Sequence, residues 1–429
     1  MQKRICIIDG VRTPMSKAGM SLSKTTGDEL AVYTLRRLLQ LTGIEDEQID
    51  EVIYGNVSMP IEAANIARVI GLKAGLPGKT PGMTVQRNCA SGIESVITAA
   101  RKILLGESEI IVAGGTESMS NIPLIYNQKR VEQFKSLVSS KALSKKIKNL
   151  LAMQLTFEKP IVGLEKGLTD PVSGLIMGQT AELLARKFNI SRQEQDEFAL
   201  WSYRKYFQAK QGHVFEDEIT PIPVKPSYDS VLTEDEGIRE NQDMKSLTKL
   251  RPFFDRTDGT VTIGNSCSIT DGAASVLVMS EDKANSMQLE PLGYINEYAF
   301  AALDPSIMGL GPAHACSELF QKTKSKTDDY DLVEINEAFA AQVIANERAF
   351  ASTEFAQKHL GRKTALGEID RSKLNVNGGA IAMGHPVGMT GTRIILHTLK
   401  ELKRRNQKKG LATLCVGGGQ GFAVELEAA

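Results

Sequence analysis

The chain has 429 residues and equal numbers of cationic and anionic side chains, 51 Lys plus Arg and 51 Asp plus Glu. Its length allows two or three domains with a large core, and its zero net charge gives no global attraction for nucleic acid or an anionic membrane. The 42% apolar fraction is ordinary for a soluble globular protein.

The N-terminal segment and the cysteines indicate the compartment. Residues 1–10 contain basic side chains, but their apolar run is broken at Asp9, too early for a signal peptide. No run of about 18 apolar residues occurs, so we expect no transmembrane segment. The cysteines are far apart and form no CxxC pair, which predicts reduced thiols in a cytoplasmic location, with no disulfide framework or zinc ribbon. They are Cys6, Cys89, Cys267, Cys316 and Cys415.

The first part of the chain alternates helical and strand-like segments, which predicts an α/β fold. Residues 29–57 have the pattern of a helix, an acidic turn, a strand and a loop that carries Asn56. In 85–104, apolar residues recur at three- and four-residue steps, the period of a helix. Cys89 stands just ahead of that helix, in a run of small residues that lets other groups approach the backbone. A strand-like run, IIVAGG at 110–115, comes next.

Residues 120–250 differ in character from the segments on either side. They contain Pro-rich loops, an acidic patch at 234–236 and a basic, amphipathic stretch at 128–155. We interpret them as an inserted domain, after which the first half resumes near Leu250. The predicted division is 1–119, completed by about 251–285, for the first half, 120–250 for the inserted domain, and 286–429 for the second half.

The second half repeats the order of elements of the first. Residues 313–339 again have a helix, an acidic turn and a strand, and here the following loop carries Asn336. A later helix opens at His385, as the helix of the first half opens at Cys89, and it leads into a strand-like run with Cys415 at its end. Two units in the same order favour a duplication, in which the two helix starts could face one central cleft.

Cys89 is the first candidate for chemistry, although a cysteine is more often a small buried hydrophobic residue. A helix N-terminus stabilises a thiolate by only about 0.3–1 kcal/mol. Lowering a thiol pKa from about 8.5 to about 7 needs roughly 2 kcal/mol. The helix end is therefore insufficient, and a nucleophilic Cys89 requires a nearby base.

His385 is the histidine best placed to be that base. Glycines crowd it on both sides in 375–388, which leaves room for a substrate or another loop against the backbone. The alternative is a turn histidine held by a local hydrogen bond. His397 lies in a helical segment four residues before Glu401, and we expect it at the surface.

Two further positions have both a structural and a chemical interpretation. Cys415 closely precedes the glycine run 417–419, and it is either a core cysteine or a second reactive thiol beside exposed N–H groups. That run does not complete the dinucleotide fingerprint GxGxxG, because Phe422 occupies its last glycine position. Asn336 follows a strand and is a helix N-cap, a catalytic amide, or both.

Together, RNCASG, NEAFA, NVNGGAIAMGHPVGMTG and LCVGGGQG resemble the motifs of the thiolase family, in order and over essentially the whole chain. GVRTP, GGTESMS, LRPFFD and TDGAAS add to the resemblance. It implies a duplicated, five-layered α/β/α/β/α fold with an inserted loop domain that covers coenzyme A. The implied reaction is reversible thiolysis of a 3-oxoacyl-CoA to acetyl-CoA and a shortened acyl-CoA, or the reverse Claisen condensation, without a metal.

The resemblance also implies a role for each candidate. Cys89 would hold the acyl group as a thioester, and His385 would activate Cys89 and help to hold the enolate oxygen. Cys415 would move the proton at C2 of the acetyl unit. Asn336 would fix a water that forms one oxyanion hole with His385, and the backbone N–H groups of Cys89 and Gly417 would form a second.

Coenzyme A, free or acylated, is implied as a substrate, with no permanently bound cofactor. By the same resemblance, Leu168 and Met177 would contact the pantetheine arm, and Arg239 and Ser246 would meet the adenine nucleotide and pantetheine. Four residues would border the acyl-proximal tunnel: Gly264, Cys267, Ala338 and Phe339. Many relatives have a serine that bonds pantetheine where this chain has Cys267, and a thiol is a weaker hydrogen-bond partner.

The partners and the substrate length are less specified. Asn336 is typical of acetoacetyl-CoA and general 3-ketoacyl-CoA thiolases, whereas 128–155 resembles the insertion of thiolase subunits in fatty-acid oxidation complexes. That stretch is either a solvated helix or a surface for a membrane or a hydratase/dehydrogenase subunit. The family also implies a homodimer or homotetramer. A non-catalytic acyl-CoA-binding or scaffolding subunit is the alternative function, and the presence of all four catalytic side chains counts against it.

Overall fold

The computed structural model describes residues 3–155 and 160–429, which form a mixed α/β chain. The strands are β1 (Ile5–Arg12), β2 (Ser16–Lys17), β3 (Glu51–Gly55), β4 (Gly82–Val85), β5 (Ile110–Ser118), β6 (Leu124–Ile125), β7 (Ile161–Val162), β8 (Ile222–Pro223), β9 (Val231–Leu232), β10 (Thr270–Ser280), β11 (Gly293–Ala302), β12 (Leu332–Ile335), β13 (Lys409–Val416) and β14 (Gln420–Ala428). The helices are α1 (Gly27–Thr42), α2 (Ile66–Lys73), α3 (Ser91–Leu104), α4 (Gln128–Ser139), α5 (Leu143–Leu155), α6 (Gly163–Gly167), α7 (Met177–Lys187), α8 (Arg192–Gln211), α9 (Met244–Thr248), α10 (Glu281–Ser286), α11 (Gly311–Thr323), α12 (Ala340–Ala351), α13 (Thr353–His359), α14 (Ala380–Met383) and α15 (Thr390–Arg404).

The main sheet contains two copies of one strand arrangement. In the first copy β1, β10 and β5 are antiparallel neighbours, and β3 and β4 continue the sheet in parallel. In the second, β11, β14 and β13 are antiparallel neighbours, and β12 continues in parallel. A parallel bridge from Val333 to Leu374 stands where β4 has its counterpart. The copies join edge to edge between β1 and β11, so the predicted duplication is confirmed.

Helices cover both faces of each half of this sheet. β5 and β10 are buried at every position, as expected for strands enclosed on both sides. The helices α3 and α15 share one apolar core with the inner faces of both halves. α1 and α2 pack on the outer face of the first half, and α11 and α12 on that of the second. The order is helix, sheet, helix, sheet, helix, which confirms the predicted five layers.

The two repeated segments fold as their patterns predicted. α1 and β3 lead to Asn56, and α11 and β12 lead to Asn336. At the start of α1, the side chain of Glu29 accepts a hydrogen bond from the backbone N–H of Thr26 at 3.0 Å, which satisfies the N–H of the N-cap residue. α1 ends at Gly43, which has φ +66°, a left-handed conformation that glycine adopts without strain.

The segment between β5 and β10 is tied to both halves by buried ion pairs. Arg12 of β1 is completely buried, and its guanidinium contacts Glu218 at 2.7 Å and Asp235 at 2.6 Å. The second carboxylate oxygen of Glu218 lies 3.0 Å from Nδ1 of His397 on α15. The expectation that His397 lies at the surface is therefore wrong, because α15 is a central helix enclosed on all sides. The domain boundaries themselves stay a prediction.

The basic stretch 128–155 forms a helical hairpin of α4 and α5. Arg130 donates to the carbonyl oxygen of Met153 at 3.0 Å, and Asn149 donates to the hydroxyl of Ser136 at 3.0 Å. Several apolar side chains of the hairpin remain exposed: Phe134, Val138, Leu143, Ile147, Leu150 and Leu151. No helix within 3–155 and 160–429 is both long and apolar enough to cross a membrane.

Candidate active site

The N-terminal ends of α3 and α15 meet at the centre of the molecule. Thr392 of α15 donates its hydroxyl to the carbonyl oxygen of Gly92 in α3 at 2.9 Å. A Cβ on Gly92 would lie 2.8 Å from the carbonyl oxygen of Gly388, a distance that real Cβ atoms do not tolerate. Cys89 and His385 each lie three residues before one of these contacting glycines. The close approach of the two helices therefore brings the loops of Cys89 and His385 together.

Cys89 lies in the turn that enters α3. The preceding residue, Asn88, has φ +45°, and the Cys89 side chain is half-buried. Burial raises the pKa of the Cys89 thiol, and the negative charge of Glu117 raises it further. The backbone N–H groups of Gly417 and of Cys89 itself lower this pKa, but by less than burial raises it. With a raised pKa, the thiol is protonated at neutral pH and needs a base to become a nucleophile.

Gly417 begins the turn between β13 and β14 that lies against Cys89. Asn88 donates its side-chain amide to the carbonyl oxygen of Gly417 at 2.7 Å. Gly418 and Gly419 have φ of +89° and +78°, so the turn needs glycine at both positions. The N–H groups of Gly417 and Cys89 both lower the pKa of the Cys89 thiol, so these two backbone donors favour negative charge on its sulfur.

Cys415 is the second thiol of this pocket. It is 1% exposed near the end of β13. Burial raises the pKa of Cys415 well above its ordinary value, and negative charge on Cys89 or Cys267 raises it further. The thiols of Cys89 and Cys267 therefore act electrostatically on Cys415, and the hydrogen bond from Asn88 to Gly417 holds the turn after Cys415 against the loop of Cys89. Among the described residues, no set of His, Cys, Asp and Glu side chains is arranged to hold a metal ion.

His385 presents an unoccupied ring nitrogen. Its Nδ1 lies 2.6 Å from the hydroxyl oxygen of Thr390, and that hydroxyl lies 3.0 Å from the carbonyl oxygen of Pro386. The hydroxyl has one hydrogen, which it donates to the carbonyl, so Nδ1 must carry the proton and donate to Thr390. Nε2 is then the basic nitrogen, and the described structure gives it no hydrogen-bond partner.

The environment keeps His385 neutral. Burial lowers the pKa of His385 to about 4, and the positive charge of Arg393 lowers it in the same direction. Gly384, directly before it, has φ +101°, and a Cβ there would lie 2.0 Å from the Thr270 hydroxyl oxygen. Only glycine therefore lets the loop of His385 lie this close to the start of β10. Because the pKa of His385 is lowered, its imidazole is neutral at neutral pH and can accept a proton.

Asn336 carries a buried amide whose Oδ1 and Nδ2 both lack a partner in the described structure. The backbone N–H of Asn336 donates to the carbonyl oxygen of Thr413 at 3.0 Å, which holds Asn336 beside β13. The N-cap interpretation is wrong, because α12 begins at Ala340 and its N-cap is Phe339. A buried polar group without a hydrogen-bond partner costs about 1–3 kcal/mol of folding free energy. An amide left in this state is characteristic of a position that binds water or substrate.

Three of the tunnel candidates lie next to these catalytic candidates. The backbone N–H of Cys267 donates to the carbonyl oxygen of Ala338 at 3.0 Å, and Phe339 forms a backbone bridge with Ser266. Burial raises the pKa of Cys267 to about 12, and negative charge on Cys89 raises it further. The Cys267 loop and the segment after Asn336 therefore form adjacent walls of one pocket.

The remaining coenzyme A candidates are spread along the segment between β5 and β10. Met177 donates its backbone N–H to Leu168 at 2.9 Å, and its sulfur lies 3.4 Å from the position of a Cβ on Gly417. Gly264 is buried against Leu247 and Leu250, where a Cβ would lie within 2.7 Å of both side chains. Arg239 is half-buried and Ser246 is exposed. The described contacts do not join these last two residues to the catalytic candidates.

The sequence analysis missed Glu117, a carboxylate buried at the end of β5. It accepts hydrogen bonds from the N–H of Gly388 at 3.0 Å, of Val57 at 3.1 Å and of Ser58 at 3.0 Å, from the Asn56 amide at 3.2 Å, and from the Ser58 hydroxyl. Gly388 lies in the turn that follows His385, so Glu117 anchors that turn to the first half. A carboxylate near the end of a buried, glycine-rich strand was the available indication in the sequence.

Glu337 plays the corresponding part beside Asn336. It accepts from the Ser202 hydroxyl at 2.6 Å, the Asn375 amide at 2.8 Å and the backbone N–H of Ile381 at 3.2 Å. These bonds connect α8, the glycine-rich loop before α14 and the loop after β12. Its position inside the NEAFA motif indicated importance, but the sequence did not show which groups it binds.

Family models match both halves of the chain. The model described as "Thiolase, N-terminal domain" matches residues 5–282, and "Thiolase, C-terminal domain" matches residues 289–428. A 3-ketoacyl-CoA thiolase of Pectobacterium carotovorum is 40% identical over 99% of this chain and 96% of that protein. One of Yersinia enterocolitica is 39% identical over 99% and 97%.

Solved structures agree with the sequence relatives. An acetyl-CoA acetyltransferase of Bacillus anthracis superposes with a TM-score of 0.87 at 37% identity and covers 100% of this chain and 99% of its own. The human mitochondrial 3-ketoacyl-CoA thiolase in complex with CoA gives a TM-score of 0.85 at 35% identity, covering 100% and 98%. Fold and sequence therefore agree over the full length of the match.

Proposed function

The chain belongs to the thiolase family, and from that premise we propose how its own residues carry the reaction. It is an acyltransferase that cleaves a 3-oxoacyl-CoA with coenzyme A into acetyl-CoA and a shortened acyl-CoA, or runs the reverse Claisen condensation. The observation that carries the residue assignment is the convergence of the Cys89 turn, the β13–β14 turn with Cys415, and the His385 loop on one pocket.

Cys89 is the nucleophile of the proposed mechanism. Nε2 of His385 takes the thiol proton while the sulfur attacks C3 of the 3-oxoacyl-CoA, so that the C2–C3 bond breaks and the acyl group remains on Cys89. The pKa of Cys89 lies above its ordinary value and that of His385 is about 4. Burial of both groups therefore disfavours a thiolate–imidazolium pair before substrate binds. The proton leaves the thiol as the new bond forms.

Cys415 is the proposed acid and base at carbon. The acetyl-CoA enolate that leaves must gain a proton at C2, and the buried Cys415 thiol supplies it. Its raised pKa supports this role, because the group remains a protonated donor until an enolate is present. In the condensation direction the same sulfur removes that proton. In thiolysis, coenzyme A then attacks the thioester on Cys89, gives its thiol proton to the Cys415 thiolate and releases the shortened acyl-CoA, while the proton held by His385 returns to Cys89.

Two pairs of donors serve the two carbonyl oxygens that gain charge. The N–H groups of Cys89 and Gly417 are directed at the sulfur of Cys89 and serve the oxygen of the acyl group bound there. The protonated Nε2 of His385 and a water held by Asn336 serve the enolate oxygen. The unpartnered amide of Asn336 and the free Nε2 support this second pair.

Coenzyme A enters as a substrate, and we propose that no cofactor stays bound between turnovers. Met177 stands beside Gly417 and, with Leu168, offers apolar contacts to the pantetheine arm. Cys267 lies on the wall of the same pocket. Arg239 supplies a positive charge for the phosphates, with Ser246 beside the same arm.

The cysteines and the exposed hairpin of α4 and α5 support proposals about the location and the partners of the protein. Free cysteines across the described chain fit a cytoplasmic location. We propose a homodimer or homotetramer. We further propose that the exposed apolar face of α4 and α5 binds a hydratase/dehydrogenase subunit, because exposed apolar patches of this kind mark protein contacts.

Mass spectrometry of the acyl intermediate tests the assignment. After incubation with acetyl-CoA, peptide mapping should find an acetyl group on Cys89. Cys89→Ala should lose the adduct, and Cys316→Ala, which changes a buried thiol of α11, should keep it. An adduct on another residue, or none at all, would remove Cys89 as the nucleophile. Thiolysis rates for acyl chains of about four to sixteen carbons would then define the substrate range.

A further inference from the structure

A cleft of about 600 Å³ opens between α8, the loop that precedes α14 and the C-terminal end of α15. This volume is within the range of about 300–1,000 Å³ that holds small molecules in other proteins. None of the catalytic or coenzyme A candidates above lines it. Its walls combine apolar side chains, Trp201 among them, with cationic ones, which are Lys205, Arg371, Arg404 and Arg405.

The positive charge of the cleft is only partly neutralised. Arg371 makes two bonds of 2.7 Å to Glu347. Arg404 and Arg405 both pair with Glu401, and Arg404 also lies 3.2 Å from a carboxylate oxygen of Asp217. Lys205 is the fourth cation, and the described structure gives it no carboxylate partner within ion-pair distance. A cleft with this balance favours an anionic ligand.

Lys205 is held in place without being neutralised. Its ammonium donates to the carbonyl oxygens of Leu374 at 2.8 Å and Arg371 at 3.1 Å, and lies 3.8 Å from the ring centroid of Trp201. These contacts use two of the three N–H groups and leave one for a ligand. Burial lowers the pKa of Lys205 to about 8, although the charges of Glu334 and Glu337 act in the opposite direction.

The floor of the cleft is rigid and polar. Asn377 and Glu401 are buried there, and the Asn377 amide lies 3.1 Å from Nε2 of His397. Glu401 holds Arg405 in place through its guanidinium Nε, so the two terminal nitrogens of Arg405 point elsewhere. The cationic groups are therefore fixed before any ligand arrives, which reduces the entropy lost on binding.

We propose that this cleft binds a small molecule that carries phosphate groups, with a phosphate held by Lys205, Arg405 and Arg371. A phosphate offers several acceptor oxygens and more than one negative charge, which suits a cleft lined by several arginine and lysine donors better than a single carboxylate does. The site is separate from the proposed acyl-transfer chemistry and does not depend on it.

The chain has a single tryptophan, Trp201, so its fluorescence reports directly on the cleft. The probes are inorganic pyrophosphate and fructose 1,6-bisphosphate, which lack the adenine of coenzyme A. The proposal expects a saturable change in emission with a Kd below about 1 mM for at least one probe. Binding of pyrophosphate indicates a free inorganic ligand, and binding of the sugar bisphosphate alone indicates an esterified one.

Variants on either side of the cleft separate the site from general surface charge. Lys205→Gln and Arg405→Gln should each weaken binding about tenfold or more, because each removes a charge-assisted hydrogen bond. Lys403→Gln, at an exposed neighbouring position of α15 outside the cleft lining, should change the Kd less than twofold. Calorimetry is the second measurement, since Lys205 itself contacts the fluorophore.

The proposal is overturned if neither probe saturates, or if both Lys205→Gln and Arg405→Gln bind as the unmodified protein does. Acetylation of Cys89 is measured on the same preparations. It should be unchanged in all three variants, so that a failure of the cleft proposal is distinguishable from a failure of the catalytic one.

Discussion

Replacing Glu117 by glutamine tests how the His385 turn is held. One carboxylate oxygen of Glu117 accepts the N–H groups of Val57 and Gly388, and the other accepts three donors from Asn56 and Ser58. All five partners are donors, which fits the ionised carboxylate, although burial raises the pKa of Glu117. Glutamine is nearly isosteric with glutamate but has one acceptor oxygen and one NH₂ group. In either orientation its NH₂ hydrogens point at N–H or O–H groups that donated to the carboxylate.

The least harmful orientation points the NH₂ group at Val57 and Gly388. Two buried backbone N–H groups then lose their acceptor, at about 1–3 kcal/mol each. The expected loss in the free energy of unfolding is therefore about 2–6 kcal/mol, toward the lower end because a buried charge is also removed. Since folded proteins are stable by only about 5–15 kcal/mol, the effect is large.

Urea unfolding of both proteins at one protein concentration measures this loss, and steady-state thiolysis measures its consequence. Gly388 follows His385 by three residues, so we expect kcat to fall about tenfold while KM changes little. Glu62→Gln is the control, because Glu62 is an exposed carboxylate in the 3₁₀ turn Ile61–Ala63 that follows Ser58. An unchanged urea midpoint in Glu117→Gln would refute the reasoning, since it would mean that these five bonds contribute nothing net.

Three further predictions concern the reaction and its pH dependence. Cys415→Ala should keep partial acetylation of Cys89, seen by mass spectrometry, but nearly abolish condensation of acetyl-CoA; equal condensation rates in variant and wild type would exclude the role of Cys415. Asn336→Ala should lower kcat about 10²–10³-fold, the usual cost of losing one oxyanion donor, and an unchanged kcat would count against the bound water. Burial lowers the pKa of His397, but the charge and hydrogen bond of Glu218 outweigh it and raise that pKa above its ordinary value. The stabilisation is fully present below about pH 6.5 and is lost as pH rises through the raised value, so wild type should lose more unfolding free energy than His397→Gln between about pH 6 and 9.

Local patterns in the sequence predicted the elements correctly where a short range of residues decides them. The helix before Asn56 and its counterpart before Asn336 follow from apolar periodicity and turn residues, and the repeat order of these elements indicated the duplication. The position of Cys89 at the start of α3 follows from the same periodicity. The family motifs then indicated the reaction.

Two interpretations failed because they depended on distant parts of the chain. Asn336 was interpreted as a possible N-cap, but α12 begins only at Ala340, after the chain has bridged to Ser266. His397 was expected in solvent because it is polar and lies near a glutamate. Its burial follows from the enclosure of α15 between two sheets, which no window of a few residues reveals.

The sequence by itself determined the repeated order of helices and strands and the residue types available for acyl transfer, because these depend on neighbours along the chain. Only the tertiary structure decided that the loop of Cys89 lies against the turn after Cys415, that Nε2 of His385 has no hydrogen-bond partner among the described residues, and that Glu117 holds the His385 turn. These facts depend on the removal of water and on contacts between residues far apart in sequence. Burial and partner geometry set the pKa and the hydrogen bonds of each group, and both arise only when the two halves pack together.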